Sequence, residues 1–234
     1  MKTKCIFVTG RSRGLEKPPP LVLCSRELPY VTQADHLGHI ITEDGTMEKD
    51  AAIKRAKFID SSVKTREMFH FAAPQEIIKA MKWYNNAFYG SNLWDFRGEK
   101  TEQVFSAWNT AVKLAWGCPQ PTRTYIVQQI LCCGYTSART DLMTRFVSFF
   151  KSLRFSSSRE VCILSKLLAR DVRSTIGRNL NLIADLSRMN PWTANQNDIR
   201  DALIAKETVP VPVMDKWRLP YLCSLLSQRS EAYY

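Results

Sequence analysis

The predicted fold changes type within the stretch His36-Leu-Gly-His-Ile-Ile-Thr-Glu-Asp-Gly-Thr-Met-Glu-Lys-Asp-Ala-Ala-Ile-Lys-Arg-Ala-Lys-Phe58. Before Asp44-Gly45, a short apolar and β-branched segment lies between turn residues, which is typical of a strand. Asp44-Gly45 itself is typical of a turn, because glycine adopts positive φ readily and aspartate hydrogen-bonds its own backbone. After it, apolar residues recur at helical spacing and predict the buried face of a helix: Ala52, Ala56, Ile59 and Val63. We therefore expect strands upstream and helices downstream.

The upstream part predicts only a few short strands. Residues 2–9 are typical of an interior strand, and residues 10–20 form a loop with three consecutive prolines. Leu21–Cys24 and Leu28–Val31 predict a hairpin, and a further strand covers residues 37–42. So few strands make an incomplete layer, as if neighbouring strands were missing.

The downstream part predicts a series of helices. A helix at about 47–70 is followed by one that begins at Pro74, the favoured first helical position for proline. A third has a stripe formed by Val104, Trp108 and Ala115, and ends at Gly117-Cys118-Pro119. Ser157-Ser158-Arg159-Glu160 predicts the capping box of a later helix. The other expected segments are helices at 123–133, 138–154, 180–189, 195–206 and 220–229, and a stiff linker at 209–213.

The positive charge is concentrated in two segments. The chain of 234 residues has a net charge of +11. Residues 49–66 contain six basic and two acidic residues, and residues 145–178 contain eight basic and two acidic residues. This concentration in two helical segments indicates a polyanionic partner, most often nucleic acid.

The helix that begins near Ser158 has a basic side opposite its predicted buried side. We expect Val161, Leu164, Leu168 and Val172 to face inward. The basic residues on the opposite side could follow a phosphate backbone, although a solvated helix surface has the same composition: Arg159, Lys166, Arg170 and Arg173.

Other functional classes have little support in the sequence. The seven cysteines are scattered without a Cys-x-x-Cys pair, which is typical of reduced thiols in an intracellular protein of the nucleus or cytoplasm. We expect no signal peptide and no membrane span. His36 and His39 are three apart on a predicted strand and should face opposite sides, which disfavours a shared metal ion. Asp44, Glu48 and Asp50 fit a turn and a helix N-terminus, so we predict no metal site and no catalytic residues.

Several segments, in order, resemble a known family. Lys2-Thr3-Lys4 and the segment Leu28-Pro-Tyr-Val-x-x-Ala-Asp-His-Leu-Gly-His-Ile-Ile41 resemble the end of the palm of a non-LTR (LINE-type) retrotransposon reverse transcriptase. Tyr84–Trp94 and Trp108–Trp116 resemble two helices of that family's thumb. Asn190-Pro191-Trp192 and the segment 215–220 are similar to tail segments of some animal elements.

The resemblance implies an α+β, mostly α fold: a small antiparallel β remnant of a polymerase palm at residues 1–45, a thumb-like helical bundle at 46–134, and a helical tail at 135–234. In that family, metal-binding aspartates lie upstream of the Lys-Thr-Lys strand. This sequence lacks them, so we expect no polymerase activity and no cofactor in this chain; Mg²⁺ is expected only for the full-length polymerase.

The resemblance also implies a partner and contact residues. The family's Leu-Gly motif lies near the primer terminus and its thumb helices hold the RNA/DNA duplex, so Leu37 and Gly38 are candidate grip residues. Lys54, Lys57 and Lys64 would contact phosphates. Three alternatives remain: a helical protein-interaction module, a decayed open reading frame, or one piece of a longer polymerase that includes the missing upstream domain.

Overall fold

The structure is a computed structural model that describes residues 5–8, 19–84, 88–119, 121–123 and 137–207. Two small antiparallel sheets lie near the N-terminus: β1 (Leu21–Leu23) pairs with β2 (Arg26–Leu28), and β3 (Gln33–His36) pairs with β4 (His39–Thr42). Helices make up most of the rest, in agreement with the predicted α+β, mostly α class. Within the described ranges these are α1 (Glu48–Met68), α2 (Pro74–Tyr84), a 3₁₀ turn (Ser91–Leu93), α3 (Glu99–Ala115), α4 (Ala138–Arg154), α5 (Arg159–Arg170), α6 (Thr175–Ser187) and α7 (Gln196–Glu207).

The strand predictions were correct for one hairpin, but the second hairpin was not predicted. The first hairpin is confirmed with shorter strands, because Cys24 and Ser25 form its turn, at φ 47° and 61°. Of the predicted strand at 2–9, the described residues 5–8 contribute a single bridge, Cys5 to Tyr30, and Lys2-Thr3-Lys4 lie outside the described residues. The strand predicted at 37–42 begins only at His39, since Leu37 and Gly38 form the turn between β3 and β4.

The predicted buried face of α1 was correct only in part, since Ala52 and Ile59 are half-buried and Ile59 packs against the core. Ala56 and Val63 are exposed, and the buried side is formed instead by Ala51, Lys54, Phe58, Ser62 and Thr65. The buried hydroxyls can lie inside because Ser62 donates to the Phe58 carbonyl at 2.7 Å, and Thr65 donates to the Ser61 carbonyl at 2.8 Å. Local bonds of this kind satisfy small polar side chains without any tertiary partner.

One hydrophobic core connects the helices. The predicted start of α2 at Pro74 and the predicted stripe of α3 are confirmed, since Val104, Trp108 and Ala115 are buried. Phe96, which precedes α3, packs edge-on against Phe146 of α4 at 5.5 Å between ring centroids. Buried side chains on both sides of residue 135 therefore belong to one core, and the division into thumb and tail stays a prediction.

The later helices follow their predicted order. α4 agrees with the predicted helix at 138–154, α6 begins earlier than expected with Ser174 as its N-cap, and α7 agrees with the helix predicted at 195–206. The predicted helix at 123–133 lies outside the described residues except for residue 123. The linker at 209–213 and the helix at 220–229 lie wholly outside them.

Candidate nucleic-acid interface

The β3–β4 turn carries an exposed leucine in an unusual backbone conformation. Leu37 and Gly38 both have positive φ, at 49° and 79°, as a two-residue type I′ hairpin turn requires. Glycine adopts this region freely, whereas a leucine in it is rare and strained. Leu37 is also 75% exposed, so the hairpin holds an apolar side chain out into solvent.

The same turn brings two histidines together. His36 and His39 are directly opposite each other across the hairpin, so the prediction that they face opposite sides was wrong. The error arises because a turn, and not a continuous strand, separates them. His36 is exposed, whereas His39 is directed to Asp50 of α1, with 3.2 Å between Nδ1 and the carboxylate Oδ2.

Asp50 joins the hairpin to the helices. Its carboxylate is 2% exposed and accepts hydrogen bonds from the Ile40 backbone N–H at 3.2 Å and the Trp94 indole N–H at 2.9 Å. Because a carboxylate only accepts, His39 Nδ1 carries the hydrogen in this contact. Asp50 therefore connects β4, α1 and the loop before α3 through three donors.

Lys54 belongs to this buried network and is not a surface lysine. It is 7% exposed, it donates to the Tyr89 carbonyl, and its Nζ lies 4.0 Å from Asp50 Oδ2. Burial lowers the pKa of Lys54 below its ordinary value, and the negative charge of Asp50 opposes that shift. The predicted phosphate contact from Lys54 is therefore wrong, because the ammonium group faces the protein interior.

Tyr89 and Gly90 both lie against the imidazole ring of His39. The Tyr89 ring stacks on the imidazole at 5.6 Å between centroids. Gly90 has φ 72°, and a β-carbon there would lie 1.8 Å from His39 Cε1. Only glycine meets both requirements, so this loop and the hairpin fit together in one arrangement.

The two other lysines predicted from α1 lie at the surface. Lys57 is exposed and makes no ion pair within the described residues. Lys64 pairs with Asp60 at 2.8 Å, and that hydrogen bond raises the pKa of Lys64. Because both of its partners are about two-thirds exposed, the pair adds little stability and leaves Lys64 accessible.

The basic side of α5 is the clearest charged surface in the described chain. Arg159, Lys166 and Arg170 are exposed along one edge of the helix and make no ion pair within the described residues. We call these three residues the α5 ridge. Arg173, predicted as a fourth member, lies beyond the helix end and pairs with Asp171 at 3.2 Å. It also lines a cleft of about 340 Å³ together with Asp44, Glu48 and Arg178.

The capping of α5 differs by one residue from the prediction. Ser158, and not Ser157, is the N-cap, and its hydroxyl accepts from the Val161 backbone N–H at 3.3 Å. The same hydroxyl donates to Glu160 at 2.7 Å, and this bond lowers the pKa of the Glu160 carboxyl. The helix therefore begins at Arg159, which is the first residue of the ridge.

The rotation of α5 about its axis was predicted incorrectly. Ser165 and Ala169 are its buried residues, whereas Leu164 and Val172 are 56% and 64% exposed. The Cys162 thiol donates to the Arg154 carbonyl at 3.1 Å and the Ser156 carbonyl at 3.2 Å, which fixes the helix against the end of α4. The ridge consequently lies beside exposed apolar side chains instead of opposite a buried stripe.

Sequence reasoning missed Asp50, His39 and Gly90 as the residues that position the hairpin. One signal for them was available, because Asp50 and Lys54 have the i, i+4 spacing of a helical ion pair. The contact with Trp94 has no signal in the sequence, since it joins residues 44 positions apart.

The described residues contain no metal-binding cluster of three or more histidine, cysteine, aspartate or glutamate side chains. Among the described helices, none combines the length and apolar character needed to cross a bilayer. Comparison with protein families, curated proteins and solved structures gave no match to this chain.

Proposed function

We propose that this chain is a nucleic-acid-binding fragment of a non-LTR reverse transcriptase that holds an RNA/DNA duplex without catalysing polymerisation itself. The observation that carries the proposal is the α5 ridge. Its three cations are exposed and lack carboxylate partners in the described chain, so binding a phosphate does not first require breaking an ion pair. Cations of this kind bind the backbone through charge and counterion release.

The geometry of the ridge suits a backbone more than a single small anion. Arg159, Lys166 and Arg170 are separated by seven and four residues, which corresponds to about 10 Å and 6 Å along a helix at 1.5 Å per residue. Spacings of this size match separate phosphates along a strand. Lys57 and Lys64 of α1 supply further exposed positive charge.

The hairpin turn supplies a contact of a different kind. Leu37 presents an apolar side chain, and Gly38 leaves the adjacent backbone uncovered because nothing lies within 4 Å of where its β-carbon would be. The Asp50 network fixes this turn relative to α1. By the family resemblance, Leu37 and Gly38 would contact the sugar–phosphate surface near a primer end.

The proposal concerns duplex binding only and assigns polymerisation to the upstream domain of the family's enzyme. Polymerisation in the family needs metal-binding aspartates that precede the segment resembled by Lys2-Thr3-Lys4, and the chain contains no Ala-Asp-Asp sequence. An upstream polymerase domain would have to supply them together with Mg²⁺.

The first test removes the ridge. The variant R159Q/K166Q/R170Q of the full chain should bind a fluorescein-labelled RNA/DNA hybrid at least tenfold more weakly in 100 mM salt, measured by fluorescence anisotropy. The slope of log affinity against log salt should become shallower by about 0.9 for each phosphate that the variant no longer neutralises.

The matched control removes the same charge elsewhere. R26Q/R200Q/K206Q changes three basic residues that are also exposed but lie on other elements. This variant should retain the wild-type salt slope. Equally weakened binding in the two variants would show that net charge alone, and not the ridge, holds the duplex.

A second candidate function is a protein-interaction module, and the exposed apolar side chains of α5 favour it. Under that alternative, the ridge variant would leave hybrid binding unchanged because the hybrid would not be the physiological partner.

A further inference from the structure

A cleft lies where the starts of three helices come together. Residues from the N-caps and first turns of α1, α3 and α6 line it, and its volume is about 340 Å³. Each helix start has a partial positive charge, so three of them at one cleft favour an anionic ligand. The volume is within the range of roughly 300–1,000 Å³ that is usual for small-molecule sites.

The start of α3 has no cap of its own. Gly98 is the N-cap residue, and because it has no side chain it makes no side-chain capping hydrogen bond. The first backbone N–H groups of a helix have no acceptor within the helix. Gly98 and Thr101 both line the cleft, so an anion bound there could accept hydrogen bonds from these N–H groups.

Thr101 provides independent evidence for a ligand at this position. The residue is 3% exposed, yet its hydroxyl has no hydrogen-bond partner in the described part of the chain. Other buried hydroxyls, such as those of Ser62 and Thr144, donate to a carbonyl one turn earlier. The Thr101 Oγ1 lies 3.8 Å from where a β-carbon of Gly98 would be, which places it at the uncapped helix start. A ligand in the cleft would supply the partner that this hydroxyl lacks.

Two arginines near the start of α6 add positive charge to the same cleft. Arg178 donates from Nε to the Asp95 carboxylate at 2.9 Å, and its Nη2 lies 2.9 Å from the same oxygen. This ion pair neutralises the carboxylate of the loop that precedes Gly98. The side chain of Arg173 is 90% exposed, so its pair with Asp171 is weak and the guanidinium is able to turn toward a ligand.

The segment between β4 and α1 gives the cleft an acidic wall. Asp44 and Glu48 line it, and their carboxylates would repel a phosphate ion that lay beside them. Sugar hydroxyls, in contrast, donate hydrogen bonds to carboxylates. The lining of the cleft therefore favours a ligand that has one anionic group and several hydroxyls.

We propose that this cleft binds a sugar phosphate. The phosphate lies at the start of α3, where it accepts from the Thr101 hydroxyl and the uncapped backbone N–H groups, and the sugar hydroxyls donate to Asp44 and Glu48. This assignment does not depend on the proposed nucleic-acid function, since no residue of the α5 ridge lines the cleft.

The test is isothermal titration calorimetry of the full chain with ribose 5-phosphate, ribose and inorganic phosphate. Ribose 5-phosphate should bind at least tenfold more tightly than either of the other two, because only it makes both sets of contacts. T101V should weaken its binding at least tenfold, since a hydrogen bond to a charged group is lost. The same variant should melt at the temperature of the unmodified protein or higher, because it breaks no hydrogen bond within the described chain. G98S should also weaken binding, because serine caps the helix with its own hydroxyl.

Two control variants complete the experiment. T140V removes another buried hydroxyl that has no partner, on α4 and outside the cleft, and should bind ribose 5-phosphate as tightly as the unmodified protein. The ridge variant R159Q/K166Q/R170Q should also retain this binding, so that failure of the nucleic-acid proposal and failure of this one are distinguishable. Absent binding, equal affinities for ribose 5-phosphate and inorganic phosphate, or equal losses in T101V and T140V would each overturn the proposal.

Discussion

At the scale of single residues, Asp50 is the residue on which the position of the hairpin depends. Its buried carboxylate accepts from Ile40 and Trp94 and lies beside His39 and Lys54. Replacing it with asparagine would place an amide donor against His39 Nδ1–H and leave Lys54 without its charge partner. Removing one member of a buried ionic network costs about 3 kcal/mol. We therefore expect D50N to lower the free energy of unfolding by about 3 kcal/mol in urea denaturation.

Asp60 gives the matched control for this prediction. It also pairs with a lysine on α1, but both partners are largely exposed. The D60N variant should change the free energy of unfolding by less than about 1 kcal/mol. Similar destabilisation in the two variants would contradict the structural role assigned to Asp50.

A substitution at Leu37 should have opposite effects on the stability of the protein and on its binding of the hybrid. The positive φ of Leu37 is strained for leucine and is well tolerated by asparagine. L37N should therefore raise the free energy of unfolding by up to about 1 kcal/mol. Under the proposed function the same variant should weaken binding of the RNA/DNA hybrid, because a polar amide replaces the exposed apolar side chain. A variant that bound the hybrid more tightly would contradict the assignment of Leu37 to the interface.

At the scale of elements, the start of α5 can be tested directly. S158A removes the N-cap and should destabilise the protein by about 1 kcal/mol, whereas S157A should have no effect. In the native protein the pKa of Glu160 is lowered, so its stabilising contribution is present above the ordinary carboxyl range and is lost as the pH falls through the lowered value. In S158A, an NMR titration should show the pKa of Glu160 shifted back upward. The opposite ranking of the two serine variants would support the capping predicted from sequence.

The elements also show which features the sequence determines. The α3 stripe was predictable because large apolar residues recur at one helical period and all pack inward. The buried faces of α1 and α5 were not predictable in the same way. The hydroxyls of Ser62, Thr65 and Ser165 donate hydrogen bonds to nearby backbone carbonyls, so these polar residues can be buried. In α5 the bonds of Cys162 to the end of α4 decide the rotation, and such a contact has no periodic signal.

At the scale of the whole molecule, two hairpins are attached to a helical body whose core runs from α1 to α7. The charge pattern predicted the ridge on α5 correctly as an exposed surface, because clustered cations are rarely buried. It failed for Lys54, since a charge count cannot show that Asp50 and the Tyr89 carbonyl draw one lysine inward. The positive surface is therefore narrower than the sequence suggested, with α5 and the outer edge of α1 as its main parts.

We propose that this chain binds a nucleic-acid duplex through its phosphates. The most direct measurement is the affinity of the full chain for an RNA/DNA hybrid between 50 and 400 mM potassium chloride, using two hybrids of unrelated sequence. We expect a linear fall of log affinity with log salt, with a slope steeper than about −2, and nearly equal affinities for the two sequences. Affinity that is absent, or unchanged across this range of salt, would contradict the claim.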